Sequence, residues 1–510
     1  MKKSDLFIMF LLFSTMVACR KGESTNTLST GVENPGTIVP KEKIDAFIGE
    51  QLKKDQKFEW KSADDITLWS ALVHSDGILS VGYQPAGFTD FDNKIGNIDV
   101  AQGDWKSARE QVLALVLKNE PNKTAKDILA FKEGQLPFIT VKVSNLATVK
   151  ALRASNLVRY AEPIGYGKVM RLGNTSTAKA TTESGLLTFG CGTNNAEPGL
   201  IAGTDYINIS PTSKQSWNYA YHKIPQAWVR STGQNVKVML IDTGVSPDQD
   251  NLGSSFNQGS SSGRTIEKLS TYPGANADDV CGHGTSMAGA LAGPRGTDGS
   301  ATGIAYNANL VSVHAGENVV ILSSESVQGV TDAYTLAGNR SDIKIVSMSM
   351  GTIIAYNQIT DAIKYAYSKG KLMFCAAGTT NSSIPNWLGV IYPAYLPQVV
   401  AVTGIKDNLT DRCGDCHVGR EVAFTVVMEQ TSTAKTALSL AMTGDAPSTV
   451  GGSSVSTAST AAIAALVWSK YPSYPKDSII ARMARAGNYA SSRSQTFGWG
   501  VVNADVAVGQ

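Results

Sequence analysis

Charged residues are scarce in this chain, and no segment concentrates charge of one sign. Asp, Glu, Lys and Arg make up 17% of the 510 residues, and the formal net charge is only +2. The sequence has neither a basic run nor an acidic tail, so it lacks the usual signs of a nucleic-acid-binding arm or a solvating tail. We therefore expect no nucleic acid among its partners.

Histidine and cysteine are also infrequent, with five and six residues. The apolar fraction, by contrast, is 42%, which is ample for a buried core. Because 510 residues exceed one ordinary domain, we expect two folded units joined by connecting segments.

Three polar residues, Asp242, His283 and Ser454, each lie in a separate glycine-flanked motif. The motifs are V-K-V-M-L-I-D-T-G-V-S-P (236–247), C-G-H-G-T-S-M-A-G-A-L-A-G (281–293) and G-G-S-S-V-S-T-A-S-T-A-A (451–462). A serine hydroxyl needs a base within hydrogen-bond reach before it can attack. A histidine, with an ordinary pKa of about 6.5, can take and return a proton near neutral pH. A carboxylate fixes the tautomer of that histidine, so the three side chains suit nucleophilic catalysis.

The flanking residues predict where these side chains lie. The apolar run at 236–241 predicts a buried parallel strand, which would place Asp242 at the carboxyl edge of a sheet. The small residues that follow His283 favour a tightly packed helix with His283 near its start. The Ala-rich stretch 458–466 favours another buried helix, with Ser454 at its N-terminus, where backbone N–H groups favour developing negative charge.

Each of these residues also has a structural interpretation when it is taken alone. An Asp that ends a strand is usually structural, and a Ser at a helix start is usually an N-cap. The functional interpretation therefore depends on all three occurring in one order with matching flanks. The remaining histidines have no catalytic motif around them and are expected to be surface or core residues: His74, His222, His314 and His417.

In their order and in their flanks, the three motifs resemble those of the subtilases, the subtilisin-like serine peptidases. The resemblance runs from about residue 217 to the C-terminus and is strongest around His283. It implies a peptidase domain over 216–510 of the α/β class, with a subtilisin-like three-layer architecture and a mostly parallel sheet. It also implies a serine endopeptidase that cleaves polypeptides, with Asp242, His283 and Ser454 as catalytic residues. Two other functions remain open: a subtilase-fold pseudoprotease acting as a binding or regulatory protein, and a dedicated maturase of one exported peptide.

Two further segments match subtilase strands that line the substrate cleft. The run I-K-I-V-S-M-S-M-G (343–351) resembles the strand whose edge holds an extended substrate through main-chain hydrogen bonds. The run L-M-F-C-A-A-G (372–378) resembles the next strand, which forms a wall of the primary specificity pocket. The glycine and apolar residues there favour an apolar or aromatic substrate side chain. The substrate-binding residues implied are Ser349, Met350, Gly351, Ala376, Ala377 and Gly378.

The chain departs from the family at two places. Subtilases usually carry Asn directly after A-A-G, where its amide helps to hold the oxyanion, whereas this chain has Thr379, Thr380 and Asn381. Asn381 and the Thr379 hydroxyl are both candidates for the donor, and without either the oxyanion hole would be weak. The serine motif reads G-S-S-V-S-T-A (452–458) in place of G-T-S-M-A-x-P, which keeps small residues around Ser454.

The region 41–163 is expected to be a separate α+β unit. Alternation at 137–143 predicts a strand, apolar spacing at 145–155 predicts a helix, and 157–163 predicts another strand. This order resembles the closing part of subtilase propeptides, which help the protease to fold and then block its cleft as intramolecular inhibitors. An unrelated N-terminal domain is the alternative. The region 164–215, rich in Gly, Thr and Ser, is expected to be a processing linker and N-terminal segment.

The first 19 residues resemble a bacterial lipoprotein signal peptide. Two lysines precede an apolar stretch at 6–17, the length of a signal-peptide core, and M-V-A-C (16–19) resembles a lipoprotein processing site. This implies acylation of Cys19, a membrane contact through the lipid anchor, and a place in the cell envelope (outer membrane or cell surface). An ordinary secretory peptide or a single membrane anchor is the alternative. Residues 20–40 are expected to be a flexible tether.

The five other cysteines suit a compartment that permits disulfides. Cys413 and Cys416 are close enough to pair, although zinc bound with His417 is the rival interpretation, and Cys191 and Cys281 could form a second bridge. Cys375 lies in an apolar run and is expected to be a free thiol. The chemistry requires no cofactor, and the family resemblance allows structural calcium, but no acidic loop is distinctive enough to assign metal ligands.

Overall fold

The computed structural model describes residues 38–172, 191–192, 194–380 and 384–509. The signal peptide with Cys19, nearly all of the predicted tether and the oxyanion candidate Asn381 lie outside the described residues. The described residues belong to one compact unit. Among them, no helix combines the length and the apolar character needed to cross a bilayer.

The N-terminal unit, residues 38–172, is an α+β structure on a three-stranded antiparallel sheet. Its strands are β1 (Ile78–Tyr83), β2 (Phe138–Lys142) and β3 (Val158–Pro163), in the order β2-β1-β3. Its helices are α1 (Lys41–Asp55), α2 (Asp65–His74), α3 (Phe91–Lys94), α4 (Gly103–Asn119), α5 (Ala125–Ile128) and α6 (Leu146–Arg153). The predicted strand, helix and strand at the end of this region correspond to β2, α6 and β3, and Val149 and Leu152 of α6 are buried as their spacing indicates.

The C-terminal part is built on a seven-stranded sheet in which every pair of neighbouring strands is parallel. A hairpin of β4 (Tyr206–Ile209) and β5 (Ser213–Ser216) precedes it. The main strands are β6 (Lys237–Asp242), β7 (Ile266–Ser270), β8 (Asn309–His314), β9 (Ile345–Met348), β10 (Leu372–Ala376), β11 (Val400–Lys406) and β12 (Val422–Glu429), in the order β12-β11-β10-β9-β6-β8-β7. A second hairpin, β13 (Ala437–Ser439) and β14 (Ser448–Val450), follows.

Helices cover both faces of this sheet. They are α7 (Ile224–Trp228), α8 (His283–Ala292), α9 (Ser324–Asn339), α10 (Asn357–Ser368), α11 (Gly452–Lys470), α12 (Lys476–Arg485) and α13 (Ala504–Gly509). Alternate residues of β6 point to opposite sides: Met239 and Ile241 belong to the core that includes α9 and α10, whereas Val238 and Leu240 belong to the core that includes α8 and α11. A parallel sheet buried on both faces needs this arrangement, and it confirms the predicted three-layer α/β architecture.

The N-terminal unit packs against α9 and α10, with which it shares one hydrophobic core. Polar contacts cross the same interface. Arg159 forms a 2.6 Å ion pair with Asp361 of α10, and the Tyr160 hydroxyl donates to the same carboxylate at 3.2 Å. Glu162 accepts hydrogen bonds from the backbone N–H and the side-chain amide of Asn357, the first residue of α10. The carboxyl end of β3 is therefore hydrogen-bonded to the first residue of α10.

Candidate active site

Asp242 and His283 meet at the carboxyl edge of the main sheet. Asp242 is the last residue of β6 and is fully buried, and His283 is the first residue of α8 and is 6% exposed. Nδ1 of His283 lies 2.7 Å from Oδ1 of Asp242. Because a carboxylate oxygen accepts hydrogen bonds, we assign Nδ1 as the donor, which in the neutral ring leaves the lone pair on Nε2. The pair therefore has the tautomer that a general base requires.

Glycine at position 284 allows His283 to lie this close to Asp242. A β-carbon at Gly284 would collide with the backbone of Thr243 and Gly244, so no larger residue fits between the start of α8 and the end of β6. The Gly284 N–H also donates to the Thr243 hydroxyl at 2.9 Å. The glycine flanks of the histidine motif thus have a direct geometric role.

Asp279 organises the turn before α8. The sequence showed only that an acidic residue lies four positions before His283 and did not indicate this role. The carboxylate of Asp279 is 2% exposed. It accepts five hydrogen bonds, from the backbone N–H groups of Cys281, Gly282 and Thr285 and from the hydroxyls of Thr285 and Thr243, at 2.6–2.9 Å. One buried carboxylate therefore joins the turn that carries His283 to the residue that follows Asp242.

Two carboxylates act on the charge of His283. Burial disfavours the imidazolium and would lower its pKa, but the charge and hydrogen bond of Asp242 outweigh that effect, and Asp279 adds to it. The pKa of His283 consequently lies above its ordinary value of 6.5. The site favours the protonated histidine that forms when a hydroxyl gives up its proton.

Ser454 lies in the first turn of α11 and lines the same cavity as His283, a space of about 540 Å³. The helix begins at Gly452, whose φ of +78° few other residues adopt. The Ser349 hydroxyl donates to the carbonyl oxygen of Ser454 at 3.0 Å and joins the first turn of α11 to the segment after β9. The histidine and serine motifs, distant in sequence, thus meet at one cavity, and Asp242 is hydrogen-bonded to His283 at its wall.

Thr379 lies directly beside this first turn. Its Oγ1 accepts a hydrogen bond from the Ser453 backbone N–H at 3.2 Å, and the Ser453 hydroxyl accepts one from the Gly378 N–H at 3.2 Å. A β-carbon at Gly452 would approach Thr379 Oγ1 to 2.8 Å. Of the two oxyanion candidates, Thr379 is therefore placed next to Ser454, and Asn381 lies outside the described residues.

Most of the predicted substrate-binding residues line a second, much smaller cavity with Ser454. Its volume is about 40 Å³, and Val319, Val320, Ile384 and Ile391 fill the space around it. The sequence favours an apolar or aromatic substrate side chain, and in this conformation the pocket is too small for an aromatic one. Ala377 lies outside the lining, with its N–H donating to Val402 and its carbonyl accepting from Ile391. The lining includes Ser349, Met350, Gly351, Ala376 and Gly378.

Both cysteine pairs considered from the sequence are disulfides, and Cys375 is a buried thiol. The bridge from Cys191 to Cys281 ties the segment before the main sheet to the turn that carries His283. The bridge between Cys413 and Cys416 leaves no thiolate there for zinc. In the part of the chain that the structure describes, no group of three or more His, Cys, Asp or Glu side chains is arranged to hold a metal ion.

The other histidines have structural contacts, in agreement with their sequence context. Burial lowers the pKa of His222 to about 4 and also lowers that of His417. Each remaining ring lies within hydrogen-bond distance of a backbone carbonyl: His74 of Val39, His222 of Val502, His314 of Asn276 and His417 of Gly389.

Comparison with known proteins identifies relatives of this chain. Thermitase of Thermoactinomyces vulgaris is 29% identical over 195 residues, which are 38% of this chain and 64% of that protein. Subtilisin DY of Bacillus licheniformis is 29% identical over 289 residues, 54% of this chain and 91% of that protein. The chain thus spans less than two-thirds of thermitase and most of subtilisin DY.

A solved structure extends the likeness in fold to more of the chain. Fervidolysin from Fervidobacterium pennivorans, described as a keratinolytic enzyme related to subtilisin, has a TM-score of 0.56 at 15% identity. The match covers 85% of this chain and 61% of that one. The family model of the subtilases matches residues 233–500, just over half of the chain, and these residues contain all three motifs. This protein belongs to the subtilase family.

Proposed function

We propose that the protein is a serine endopeptidase in which Ser454 is the nucleophile, His283 the general base and Asp242 the residue that orients His283. The observation that carries this proposal is the 2.7 Å hydrogen bond from His283 to the buried Asp242, at the wall of a cavity that Ser454 also lines. Membership of the subtilase family supports it.

The reaction proceeds in two halves. Ser454 Oγ bonds to the carbonyl carbon of the scissile peptide while its proton moves to Nε2 of His283. The tetrahedral intermediate then expels the amine, which takes that proton, and leaves an ester on Ser454. Water attacks the ester in the same way, with His283 again taking and returning the proton, and releases the acid. Asp242 stays ionised throughout and stabilises the imidazolium.

The oxyanion of each intermediate needs hydrogen-bond donors. We assign these to the backbone N–H of Ser454 and the hydroxyl of Thr379. N–H groups in the first turn of a helix have no acceptor within the helix, and the hydrogen bond between Thr379 and Ser453 holds Thr379 beside that turn. Asn381 remains the rival donor.

The test of the nucleophile uses an alkyl fluorophosphonate, which labels an activated serine. Wild type should be labelled and Ser454→Ala should not. Ser456→Ala is the matched control, because Ser456 lies on the same helix and its hydroxyl donates to the Gly452 carbonyl. Equal labelling of Ser454→Ala and wild type would rule out Ser454, and an unlabelled wild type would favour the pseudoprotease alternative.

We also infer that the protein is made as an exported zymogen. The N-terminal unit shares its core with α9 and α10 and is tied to α10 by Arg159 and Glu162, as a bound intramolecular inhibitor would be. The signal-like residues 1–19, with Cys19 as the lipidation site, support export to the cell envelope or beyond.

Mass spectrometry of the mature N-terminus tests processing, export and lipidation together. Active protein should lose the N-terminal unit by a cut within 164–215, whereas Ser454→Ala should keep it. A mature chain that begins at an acylated Cys19 in Ser454→Ala would support the lipoprotein assignment. Hydrolysis of generic casein-like substrates would argue against a maturase dedicated to one peptide.

A further inference from the structure

Gly351 is one of the residues of the segment 343–351, whose edge is implied to hold an extended substrate, yet both of its main-chain groups are already hydrogen-bonded. Its N–H donates to the carbonyl oxygen of Val319 at 3.0 Å, and its carbonyl oxygen accepts from the N–H of Ile321 at 3.0 Å. Val320, between them, pairs with Gly351 as a parallel β-bridge. The chain's own segment 319–321 therefore occupies the main-chain groups that a substrate strand would need.

Burial and hydrogen bonds hold the segment 319–321 in place. The side chain of Val320 is 3% exposed and that of Ile321 is fully buried. The N–H of Val320 donates to the side-chain oxygen of Asn318 at 3.0 Å. Since the carbonyl oxygen of Val319 and the N–H groups of Val320 and Ile321 have hydrogen-bond partners and the side chains of Val320 and Ile321 are buried, 319–321 behaves as a short strand.

The same segment closes the small cavity beside Ser454. Val319 and Val320 line the 40 Å³ space, which is little more than the roughly 30 Å³ that one molecule occupies in liquid water. The neighbouring cavity at His283 and Ser454 is about 540 Å³. A small reagent can therefore reach Ser454, whereas an extended peptide finds both its strand partner and its side-chain pocket occupied.

We propose that residues 319–321 form a gate strand that closes the substrate edge in the resting protein, and that an extended polypeptide is bound only after this strand releases Gly351. The proposal deepens the proposed function and rests on it. It makes Val320 a determinant of substrate specificity, because the size of the primary pocket depends on whether Val320 is seated or displaced.

The residues just before and just after the gate strand contact other parts of the protein. Before it, the Sγ of Cys191 lies 3.3 Å from the carbonyl oxygen of Glu317, so the disulfide to Cys281 packs against its base. After it, a β-carbon at Gly167 of the N-terminal unit would lie 2.9 Å from the carbonyl oxygen of Leu322. Ser324 then donates a hydrogen bond to Asp76 of the same unit. The N-terminal unit therefore contacts the residues that follow the gate strand, whereas the bonds of the strand to Gly351 lie within the peptidase part and do not depend on that unit.

The test compares Val320→Gly with wild type in two assays: kcat/KM on a hexapeptide substrate and the rate of Ser454 labelling by a small alkyl fluorophosphonate. If the gate limits extended substrates, the ratio of kcat/KM to the labelling rate should rise about tenfold in Val320→Gly, because the gate strand is open in a larger fraction of molecules. Val229→Gly, at a residue that is 87% exposed, is the control for the same chemical change and should leave the ratio unaltered. An unchanged or lower ratio in Val320→Gly overturns the gate. A wild type that is not labelled overturns the proposed function instead.

Hydrogen exchange on wild type gives a second, independent readout. The amide of Ile321 should exchange slowly in the resting protein and quickly once a tetrapeptidyl phosphonate occupies Ser454. The amide of Gly351 should stay protected in both states, because the peptide replaces Val319 as its acceptor. Unchanged protection of Ile321 in the peptide-bound protein would overturn the gate even if Val320→Gly failed to fold.

Discussion

The hydroxyl of Thr243 donates a 2.9 Å hydrogen bond to the buried carboxylate of Asp279. Through this contact, the residue after Asp242 is joined to the turn that carries His283. The carboxylate of Asp279 therefore affects His283 in two ways, by holding the turn in place and by adding negative charge near the imidazole.

Replacing Asp279 by Asn should move the acidic limb of the kcat/KM profile to lower pH. Asp279 raises the pKa of His283, so its neutral analogue should let His283 lose its proton at lower pH. We also expect kcat/KM to fall about tenfold, because one amide cannot accept all five hydrogen bonds. Asp278→Asn is the control. The carboxylate of Asp278 accepts a hydrogen bond from the side-chain amide of Asn276 and takes part in none of the five hydrogen bonds of Asp279. A limb that stays in place would show that Asp279 acts only as a structural residue.

Replacing Thr379 by Val should lower kcat about 100-fold and leave KM within about twofold, as expected for a donor that acts in the transition state. Thr379→Ser should retain most of the activity, because it keeps the hydroxyl and the acceptor for Ser453. Steady-state kinetics on a peptide substrate will measure both. If Asn381→Ala causes the loss and Thr379→Val does not, the donor is Asn381.

Glu162 should make the docking of the N-terminal unit sensitive to pH. Burial raises its pKa to about 8, outweighing its hydrogen bonds from Asn357, while Asp361 and Glu59 add to the rise. Titratable neighbours of Glu162 also include Tyr160, Tyr356 and Tyr392. The native protein therefore binds more protons than the unfolded chain between about pH 4.5 and pH 8. The contribution of Glu162 to stability should be greatest below that window and decline as pH rises through it, with a slope of up to about 1.4 kcal/mol per pH unit.

Urea unfolding at several pH values will test this in a Ser454→Ala background, which prevents self-digestion. Glu162→Gln should flatten the decline between pH 5 and about pH 8 relative to its parent. An identical pH dependence in the two proteins would remove Glu162 from the explanation.

Replacing Asp361 by Ala should destabilise the protein by about 3 kcal/mol, because the Arg159 guanidinium, 12% exposed, would stay buried without its counter-charge. Asp92→Ala is a matched control, since Asp92 also bridges the N-terminal unit to α10, through Lys364, but is 60% exposed. It should cost less than about 1 kcal/mol. Urea unfolding of both variants in the Ser454→Ala background, which keeps the N-terminal unit attached, will compare them, and equal effects would contradict the role given to burial.

Much of the architecture could be predicted from short stretches of sequence. The run 236–241 predicted β6, the small residues after His283 predicted a helix with that residue near its start, and 137–163 predicted β2, α6 and β3. These predictions succeeded because burial on one face or on both imposes a period on consecutive residues. The helices α1 and α4 were not predicted, since the sequence of 41–133 could not be matched to any pattern of the family.

The site was predictable only in part. Motif flanks predicted that Asp242 and His283 lie together and that Ser454 is near them, but not that Asp279 would accept five hydrogen bonds or that Thr379 would lie against Ser453. An acidic residue in a Gly-rich turn has the same sequence appearance whether it is exposed or buried. The size of the primary pocket was not predictable either, because Val319 and Val320 reach it from a separate segment.

By itself, the sequence of this protein determined its strand and helix periods, the order of its three motifs and their membership of one family, since each of these is written in neighbouring residues. Only the tertiary structure decided which groups satisfy one another across the fold. The ion pair of Arg159 with Asp361 joins residues 202 positions apart, and the bonds of Gly351 to Val319 and Ile321 join two loops at the sheet edge. Such contacts depend on how the layers pack, because a hydrogen bond requires its two atoms to come within about 3 Å.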